Sequence, residues 1–425
     1  MKLRTGKTVW LAKRNIPLRA SRLRATVTSD VAIIGAGITG ALVAHQLLQE
    51  GLTVVMIDKR QAGLGSTAAS TGLLLFQPDS SIADLTRLHS QRTARRVYQL
   101  GRKAIRDLGR LIRELDLDCG WAAKRTLYVA SNARGTTLLK AEAKRTRKIG
   151  FPVERLSAEE LKSRFDVALP GALLSAGAAQ VNALHLTRGV IRHAQKNPDF
   201  RLFQSTRVTA LKEEGETVRL RTHTGGEIVA RHVIVAAGYE SRRFVRSKLV
   251  RLRSTYVIAS KPLPADRLKA LRCVMWETAR PYFYLRTSAD GRIIFGGLDE
   301  PFDTDSGRTR KLNRKTRELE QRFAEVFPEL AFKADYAWSG TFAETIDGLP
   351  CIGAATPGSR VLYALGYGGN GITFSQIAAR QLRDACVGRK NADAALFRFA
   401  RLGKGHPSRR GTMGEKRRAR AETSR

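Results

Sequence analysis

The chain has 425 residues, of which 43% are hydrophobic and 27% charged, proportions of a globular protein large enough for two domains. It lacks the long uncharged apolar run of a transmembrane helix and the apolar core of a signal peptide, so a cytoplasmic protein is expected. Its cysteines (Cys119, Cys273, Cys351 and Cys386) are far apart and its histidines never pair at i, i+4, which argues against disulfides, iron–sulfur clusters and metal sites.

The net charge of +37 is high, and both termini contribute to it. Residues 1–29 are a basic extension without an acid, and residues 396–425 form a basic tail, poor in apolar residues, that is predicted to be disordered. Two interpretations stay open. The termini are solvated and have no partner, or they contact an anionic membrane or a nucleic acid.

The first elements read as a strand–helix–strand unit. Residues 31–34 and 53–57 are apolar strands, and residues 38–50 are a helix between them. The turn contains Gly35, Gly37 and Gly40 in the pattern G-x-G-x-x-G, which is weak by itself but credible in this frame. The diphosphate of a dinucleotide would bind at the amino end of the helix.

Asp58 follows the second strand, eighteen residues after Gly40. A carboxylate there accepts hydrogen bonds from an adenosine ribose and repels a 2′-phosphate, so NADP is disfavoured while NAD and FAD both remain. The next loop, "GSTAASTG" (65–72), is rich in small and hydroxyl residues, which allows the backbone to approach a large planar ligand.

Further elements follow in chain order. Residues 83–117 are one long basic helix with a leucine stripe, which is either a core face or a membrane-surface face. The predicted elements after it are strand 125–132, helix 135–149, a hairpin turning at Gly225–Gly226, strands 233–237, 256–259, 282–286 and 293–295, helix 307–327, strand 361–365 and helix 372–386. This order predicts an α/β Rossmann-type domain built from separated segments, with a mainly antiparallel α+β domain inserted.

Several motifs in this order resemble the FAD-dependent oxidoreductases of the D-amino-acid oxidase, glycine oxidase and sarcosine oxidase superfamily. They are "DVAIIGAGITG" (30–40), "GSTAASTG" (65–72), "VNALHL" (181–186), "VIVAAG" (233–238), "GRIIFGG" (291–297), "GTFAETIDGLPCIG" (340–353) and "GYGGNGI" (366–372). The resemblance implies that residues 30–118, 181–248 and 338–395 bind FAD and that residues 119–180 and 249–337 form the substrate domain.

The resemblance also implies which residues hold FAD. In this reading Asp58 binds the ribose, Val208 contacts adenine through its backbone, and the glycine-rich segment before the last helix lies against the flavin. The full set is Gly35, Ala36, Gly37, Ile38, Gly40, Asp58, Lys59, Ser66, Thr67, Ser70, Val208, Ala237, Gly238, Gly366, Gly369, Asn370, Gly371 and Ile372. The last helix would also stabilise negative charge on reduced flavin through its amino end.

The inserted sheet is expected to cover the flavin with "RPYFYLR" (280–286). Strand alternation places Tyr282, Tyr284 and Arg286 on one face, and these side chains with Arg280 are the substrate-binding candidates. No arginine lies between residues 339 and 350, where amino-acid oxidases of the superfamily usually carry one, and Phe342 or a neighbour takes its place. Arg280 or Arg286 could replace that arginine, but its absence favours an amine or polyamine conjugate over an α-amino acid.

The predicted activity is oxidation of a carbon–nitrogen bond of a small amine or amino acid by hydride transfer to flavin, with oxygen, a quinone or an electron carrier as acceptor. No side chain is assigned a catalytic role, because a neutral amine needs no strong base. Three alternatives remain: a tRNA wobble-uridine-modifying FAD oxidoreductase, a non-catalytic FAD-binding protein and a plain NAD dehydrogenase. The oligomeric state is left undetermined.

Overall fold

The structure is a computed structural model that describes residues 3–12, 16–245, 250–268 and 271–402. In these residues the strands, in chain order, are β1 Arg4–Gly6, β2 Thr26–Ile34, β3 Val54–Ile57, β4 Leu73–Leu74, β5 Ala122–Val129, β6 Glu154–Leu156, β7 Ala172–Gln180, β8 Phe200–Phe203, β9 Val208–Glu214, β10 Thr217–Thr222, β11 Glu227–Val235, β12 Val250–Ser260, β13 Val274–Glu277, β14 Tyr284–Thr287, β15 Ile293–Pro301, β16 Ala334–Thr345, β17 Cys351–Ala354 and β18 Val361–Leu365. The helices are α1 Ile38–Leu48, α2 Ile82–Leu88, α3 Gln91–Glu114, α4 Ala133–Lys148, α5 Ala158–Phe165, α6 Ala183–Ala194, α7 Asp305–Val326, α8 Gly371–Cys386 and α9 Ala394–Phe397.

The first sheet has the order β17-β18-β11-β2-β3-β8 and is parallel from β18 to β8. Its central strands are apolar in succession because both faces are covered. Ile33 and Met56 lie in the core under α1, α6 and α8, whereas Ile34 and Ile57 lie in the core on the opposite face. The hairpin β9–β10 continues from β11 on the side of that second core.

The second sheet has the order β1-β16-β12-β15-β14-β13-β5-β7-β4, with β6 beside β7. Its pairs are antiparallel except for β13 beside β5. Helix α7 packs against β12, β15 and β16, and Phe323 of this helix meets Phe295 of β15 edge to face at 5.5 Å between ring centroids. The predicted combination of a Rossmann-type domain and an inserted antiparallel sheet is therefore confirmed.

Several predicted boundaries are wrong because tertiary pairing overrides local composition. The basic extension is in part a packed element: β1 pairs with β16, Trp10 is buried, and β2 begins at Thr26 rather than near residue 30. The boundary predicted at residue 338 falls inside β16, which stays in the second sheet as far as Thr345.

The predicted single helix over residues 83–117 is two helices, α2 and α3. His89 ends α2, and the Ser90 hydroxyl accepts the Thr93 N–H at 3.0 Å and caps the start of α3. Residues such as Leu108 and Ile112 are buried, so the apolar stripe is a core face rather than a membrane surface. Within the described residues no helix is both long enough and apolar enough to cross a bilayer.

The tail predicted to be disordered from residue 396 is ordered at its start. Phe397, Phe399 and Leu402 are buried, and Phe399 meets Tyr363 of β18 at 5.7 Å between ring centroids. The disorder prediction is wrong for residues 396–402. Residues 403–425 lie outside the described residues.

Candidate functional site

A cavity of about 690 Å³ lies between the two sheets and is lined by residues of both. Most of the cofactor-binding candidates line it: Gly35, Gly37, Ile38, Asp58, Lys59, Ser66, Thr67, Ser70, Val208, Ala237, Gly238, Gly366, Gly369, Asn370, Gly371 and Ile372. Ala36 and Gly40 stand behind the lining and shape the turn. Residues far apart in the chain thus form one surface, as the motif order predicts.

The β2–α1 turn needs glycine for two different reasons. Gly35 has φ +119°, and a Cβ on it would lie 2.4 Å from the Ala236 carbonyl oxygen. A Cβ on Gly40 would lie 2.0 Å from the Gly35 carbonyl oxygen, so the helix could not pack so closely on its strand. The turn therefore brings the amino end of α1 to the cavity, where it can bind a phosphate.

Asp58 is held at the carboxyl end of β3 by the turn itself. Its Oδ2 accepts the Ala36 N–H at 2.8 Å, and its Oδ1 accepts the Arg60 N–H at 2.8 Å. Burial raises the pKa of Asp58, and these two backbone hydrogen bonds oppose that shift. This orientation leaves the carboxylate in the cavity wall. The geometry therefore allows the predicted contact with the ribose, which stays a prediction.

Glu240 is a charged group of the site that sequence reasoning missed. Its carboxylate accepts from Lys59 Nζ and from Arg60 Nη1, both at 2.6 Å. Burial works to raise the pKa of Glu240, but the two cations outweigh it and the pKa is lowered. Lys59 is thus paired with Glu240, and its predicted cofactor role stays a prediction.

Two adjacent hydroxyl groups of the loop 65–72 differ in their hydrogen bonding. The Thr67 hydroxyl accepts the Ile38 N–H at 3.1 Å, which joins the loop to the start of α1. The Ser66 hydroxyl oxygen is buried without a hydrogen-bond partner in the described part of the chain. A buried polar atom without a partner in a cradle between two helix amino ends fits a bound dinucleotide, which would supply the missing bond.

The segment 366–372 closes the same cavity from the other side. Helix α8 begins at Gly371, and the Thr39 and Ser375 hydroxyls join α1 to α8 at 2.8 Å. The Gly369 N–H donates to Asp79 Oδ2 at 2.5 Å, and Asn370 Nδ2 donates to the Gln77 carbonyl at 3.1 Å. The amino end of α8 therefore faces the part of the cavity where the flavin is expected from the family resemblance.

Two of the substrate-binding candidates line the cavity and two do not. Tyr282 and Tyr284 form part of the wall, with ring centroids 6.0 Å apart. Arg280 is exposed and lies over the Tyr282 ring, with its guanidinium carbon 4.7 Å from the ring centroid. Its predicted role stays a prediction.

Arg286, the other predicted substrate-binding residue, lies outside the cavity lining, and its side chain is 1% exposed. Its guanidinium donates to the carbonyls of Thr71 at 2.6 Å and Val181 at 3.0 Å. Strand alternation correctly placed Arg286 on the same face of β14 as Tyr284. The loop before β4 covers that face, however, and separates Arg286 from the cavity.

Sequence reasoning also missed residues at the end of the cavity beside Tyr282. They are Asp79, Thr255, Trp276 and Asp299, and Phe342 lines the wall with them. Trp276 could have been found, since it stands directly opposite Tyr284 in the register of β13 and β14. Asp79 lies in a loop, so no periodic pattern marks it.

Comparison with known protein families matches residues 30–385 to the DAO family, described as FAD dependent oxidoreductase. The chain belongs to this family of FAD-dependent oxidoreductases. FAD is therefore its cofactor, which decides between NAD and FAD. The NAD dehydrogenase alternative is thereby removed.

Relatives of this oxidoreductase are matched over most of their length. Gamma-glutamylputrescine oxidoreductase of Escherichia coli is 26% identical over 89% of this chain and 88% of its own. Glycine oxidase of Geobacillus kaustophilus is 26% identical over 88% of this chain and 97% of its own. The crystal structure of the latter enzyme superposes with a TM-score of 0.75 at 23% identity, covering 89% of this chain and 99% of that one.

Proposed function

We propose that this oxidoreductase oxidises a carbon–nitrogen bond of a small amine or amino acid. The observation that carries the proposal is the continuity of the cavity. It runs from the Gly35 turn and Asp58 to a wall of aromatic rings, Tyr282, Tyr284 and Trp276. A small molecule in front of that wall would therefore lie beside the cofactor.

When bound, FAD would supply the acceptor for a hydride from the carbon next to the substrate nitrogen, and water would hydrolyse the imine product to a carbonyl compound and ammonia or an amine. The chain's own residues orient the substrate and exclude water. The Trp276 and Tyr282 rings meet at 6.4 Å between centroids, and Phe342 closes the wall with a side chain that is 8% exposed. Oxygen, a quinone or an electron carrier would serve as the final electron acceptor.

The names of the relatives support this substrate class. One relative is named for glycine and another for gamma-glutamylputrescine, and both are nitrogen compounds with a hydrogen on the carbon next to nitrogen. No arginine lies between residues 339 and 350, and Arg253, which stands opposite Phe342 in β12, is paired with Glu344 at 3.4 Å. The missing bidentate carboxylate clamp supports an amine over an α-amino acid.

The test is an anaerobic screen of amines and amino acids against the FAD-loaded protein, following loss of the visible flavin absorbance. At least one amine is expected to bleach the flavin. If dithionite bleaches it and no compound of either class does, the proposal fails. A non-catalytic FAD-binding protein would give that result, and a tRNA-modifying enzyme would in addition bind RNA with an affinity that falls steeply with salt.

A further inference from the structure

A β-bulge in β15 turns one carboxylate toward the cavity. Ser254 of β12 pairs with Glu300 and Tyr256 pairs with Gly297, so Leu298 and Asp299 both stand opposite the single residue Thr255. Leu298 takes φ +56°, an uncommon conformation for a bulky residue. Bulges re-aim side chains. This one places Asp299 in the cavity lining and leaves Leu298 packed on the core under α7.

Without the bulge, the regular alternation of side chains along β15 would have turned Asp299 away from the cavity. Gly296 lies directly opposite Tyr284, so even-numbered residues of β15 share the face of that tyrosine. By that count Asp299 would lie with Phe295 in the apolar core. The extra residue moves the carboxylate out of the core and into the wall that contains Tyr282, Tyr284 and Trp276.

Two buried polar atoms at this end lack partners. Asp299 Oδ1 and Trp276 Nε1 each have no hydrogen-bond partner in the described residues, and both side chains line the cavity. Trp276 is 8% exposed, and its ring is stacked on Tyr128 at 3.8 Å between centroids. Buried polar atoms are normally paired, so the unpaired acceptor of Asp299 is expected where a ligand donates a hydrogen bond, whereas the Trp276 N–H needs a separate acceptor.

The charge at this end of the cavity is negative. Asp79 and Asp299 line it, and Glu344 of β16, a third carboxylate near Asp299, is paired with Arg253 at 3.4 Å. The exposed Arg280 side chain acts on Asp299 as a cation, and it donates to the Asp79 carbonyl oxygen at 2.9 Å. The basic residues of the lining (Lys59, Arg60 and Arg207) belong to the other end, beside Glu240 and Val208.

We propose that Asp299 binds the amine nitrogen of the substrate in its ammonium form and takes up the proton that this nitrogen loses before the hydride leaves, so that the site accepts an alkylammonium compound without a carboxylate on the nitrogen-bearing carbon. This inference rests on the proposed function, whose substrate class it narrows. The neighbouring aromatic rings suit the cation and its alkyl chain, because ring faces attract cations and exclude water. A carboxylate in the same place would be repelled by Asp299 and Asp79, and the guanidinium groups of the described cavity lining, Arg60 and Arg207, lie at the other end.

The titration of Asp299 agrees with this assignment. Burial raises its pKa to about 7, Asp79 and Glu344 add to the shift, and the Thr255 hydroxyl and Arg280 oppose it. Ionisation of this carboxyl is unfavourable in the empty site. A bound ammonium compound supplies a cation that stabilises the ionised form. Perturbed acids in a cleft are common at functional sites.

The test uses two probes of equal shape and opposite charge on the FAD-loaded protein, tert-butylammonium and pivalate. The carbon that bears nitrogen in tert-butylammonium has no hydrogen, so the probe cannot be oxidised there and binding is read from the change in the visible flavin spectrum. We expect the wild-type Kd for tert-butylammonium to be at least tenfold below that for pivalate. Asp299→Asn should raise the tert-butylammonium Kd at least tenfold and leave FAD content unchanged.

Asp335→Asn is the matched control, because Asp335 is an exposed carboxylate that pairs with Arg292 at 2.6 Å outside the cavity. It should bind both probes as the wild type does. Equal wild-type affinity for the two probes, or unchanged binding in Asp299→Asn, overturns the inference. The wild-type comparison keeps the test valid if the variant fails to fold. Flavin bleaching by amines is measured separately, so failure of the proposed function is distinguishable from failure of Asp299 recognition.

Discussion

The guanidinium of Arg286 lies over the Trp10 ring, with 5.1 Å between its central carbon and the ring centroid. The two residues are far apart in the chain, and between them they tie three segments together. Arg286 donates to the carbonyls of Thr71 and Val181, and Trp10 Nε1 donates to the Ser70 carbonyl at 2.7 Å. The amino-terminal segment, the loop that borders the cofactor and the second sheet are thus joined behind the cavity.

Replacing Arg286 is therefore expected to affect stability rather than substrate binding. In Arg286→Met the buried carbonyls lose their donor, which should lower the free energy of unfolding by about 3 kcal/mol. Denaturant unfolding measures this, and the tert-butylammonium Kd of the FAD-loaded variant should stay within twofold of wild type. Arg280→Met, at an exposed position, should leave stability nearly unchanged. A large loss of probe affinity without loss of stability in Arg286→Met would restore the substrate role predicted from the sequence.

Asp58 is expected to matter for retention of FAD. Hydrogen bonds from a ribose to a carboxylate are worth about 1.5–3 kcal/mol, so Asp58→Ala should raise the Kd for FAD by about 10- to 100-fold. Quenching of flavin fluorescence on binding measures the Kd, and circular dichroism checks that the fold is intact. Asp335→Ala serves as the control at a carboxylate outside the site. An unchanged Kd in a folded Asp58→Ala protein would remove the ribose assignment.

Ser66 and Thr67 provide a matched pair of adjacent hydroxyls. The Ser66 hydroxyl has no partner in the described residues, whereas the Thr67 hydroxyl accepts from the Ile38 N–H. Ser66→Ala should therefore weaken FAD binding severalfold and leave the Tm of the FAD-free protein unchanged. Thr67→Val should lower the stability of the FAD-free protein by about 1 kcal/mol. Thermal unfolding with and without FAD separates the two effects, and a lower Tm of FAD-free Ser66→Ala would show that its hydroxyl already has a structural partner.

The affinity for an ammonium probe should depend on pH through Asp299. Its pKa in the folded protein is raised to about 7, so the carboxyl is neutral below that pH and charged above it. Binding of tert-butylammonium, which stays protonated throughout, should weaken by up to tenfold for each pH unit below about 7. Titrations between pH 5 and pH 9 measure this. The dependence should be absent in Asp299→Asn, and its persistence there would assign it to another group.

The raised pKa of Asp299 also predicts that its carboxyl lowers the free energy of unfolding. A carboxyl whose pKa is raised by folding destabilises the folded state increasingly as the pH rises from its unfolded value of about 4 to about 7. Asp299→Asn should therefore become more stable relative to wild type over that range, by about 2 kcal/mol at pH 8 after allowance for partial solvation. Denaturant unfolding of the FAD-free proteins at pH 4 and pH 8 tests this, and an equal difference at both values would contradict it.

Local sequence was sufficient for the strand–turn–helix–strand unit around Gly35 and Asp58. Its signals act within a few residues: apolar runs form buried strands, and a glycine-rich turn followed by an apolar helix has few alternative conformations. The same holds for the segment from β18 into α8, whose strand matched its predicted bounds and whose helix began one residue early. The ordered motifs along the chain were specific enough to predict FAD and the family.

The substrate end of the cavity depended on contacts that no local pattern records. Periodicity assigned Arg286 correctly to the face of Tyr284, but it could not show that the loop 65–72 would cover that face. It would have assigned Asp299 to the core, because the bulge that turns it depends on pairing between β12 and β15. The sequence by itself thus determined the cofactor-binding half, where each residue acts through its own short segment. Only the tertiary structure decided which charges meet the substrate, because they come from strands and loops that meet only when the second sheet forms.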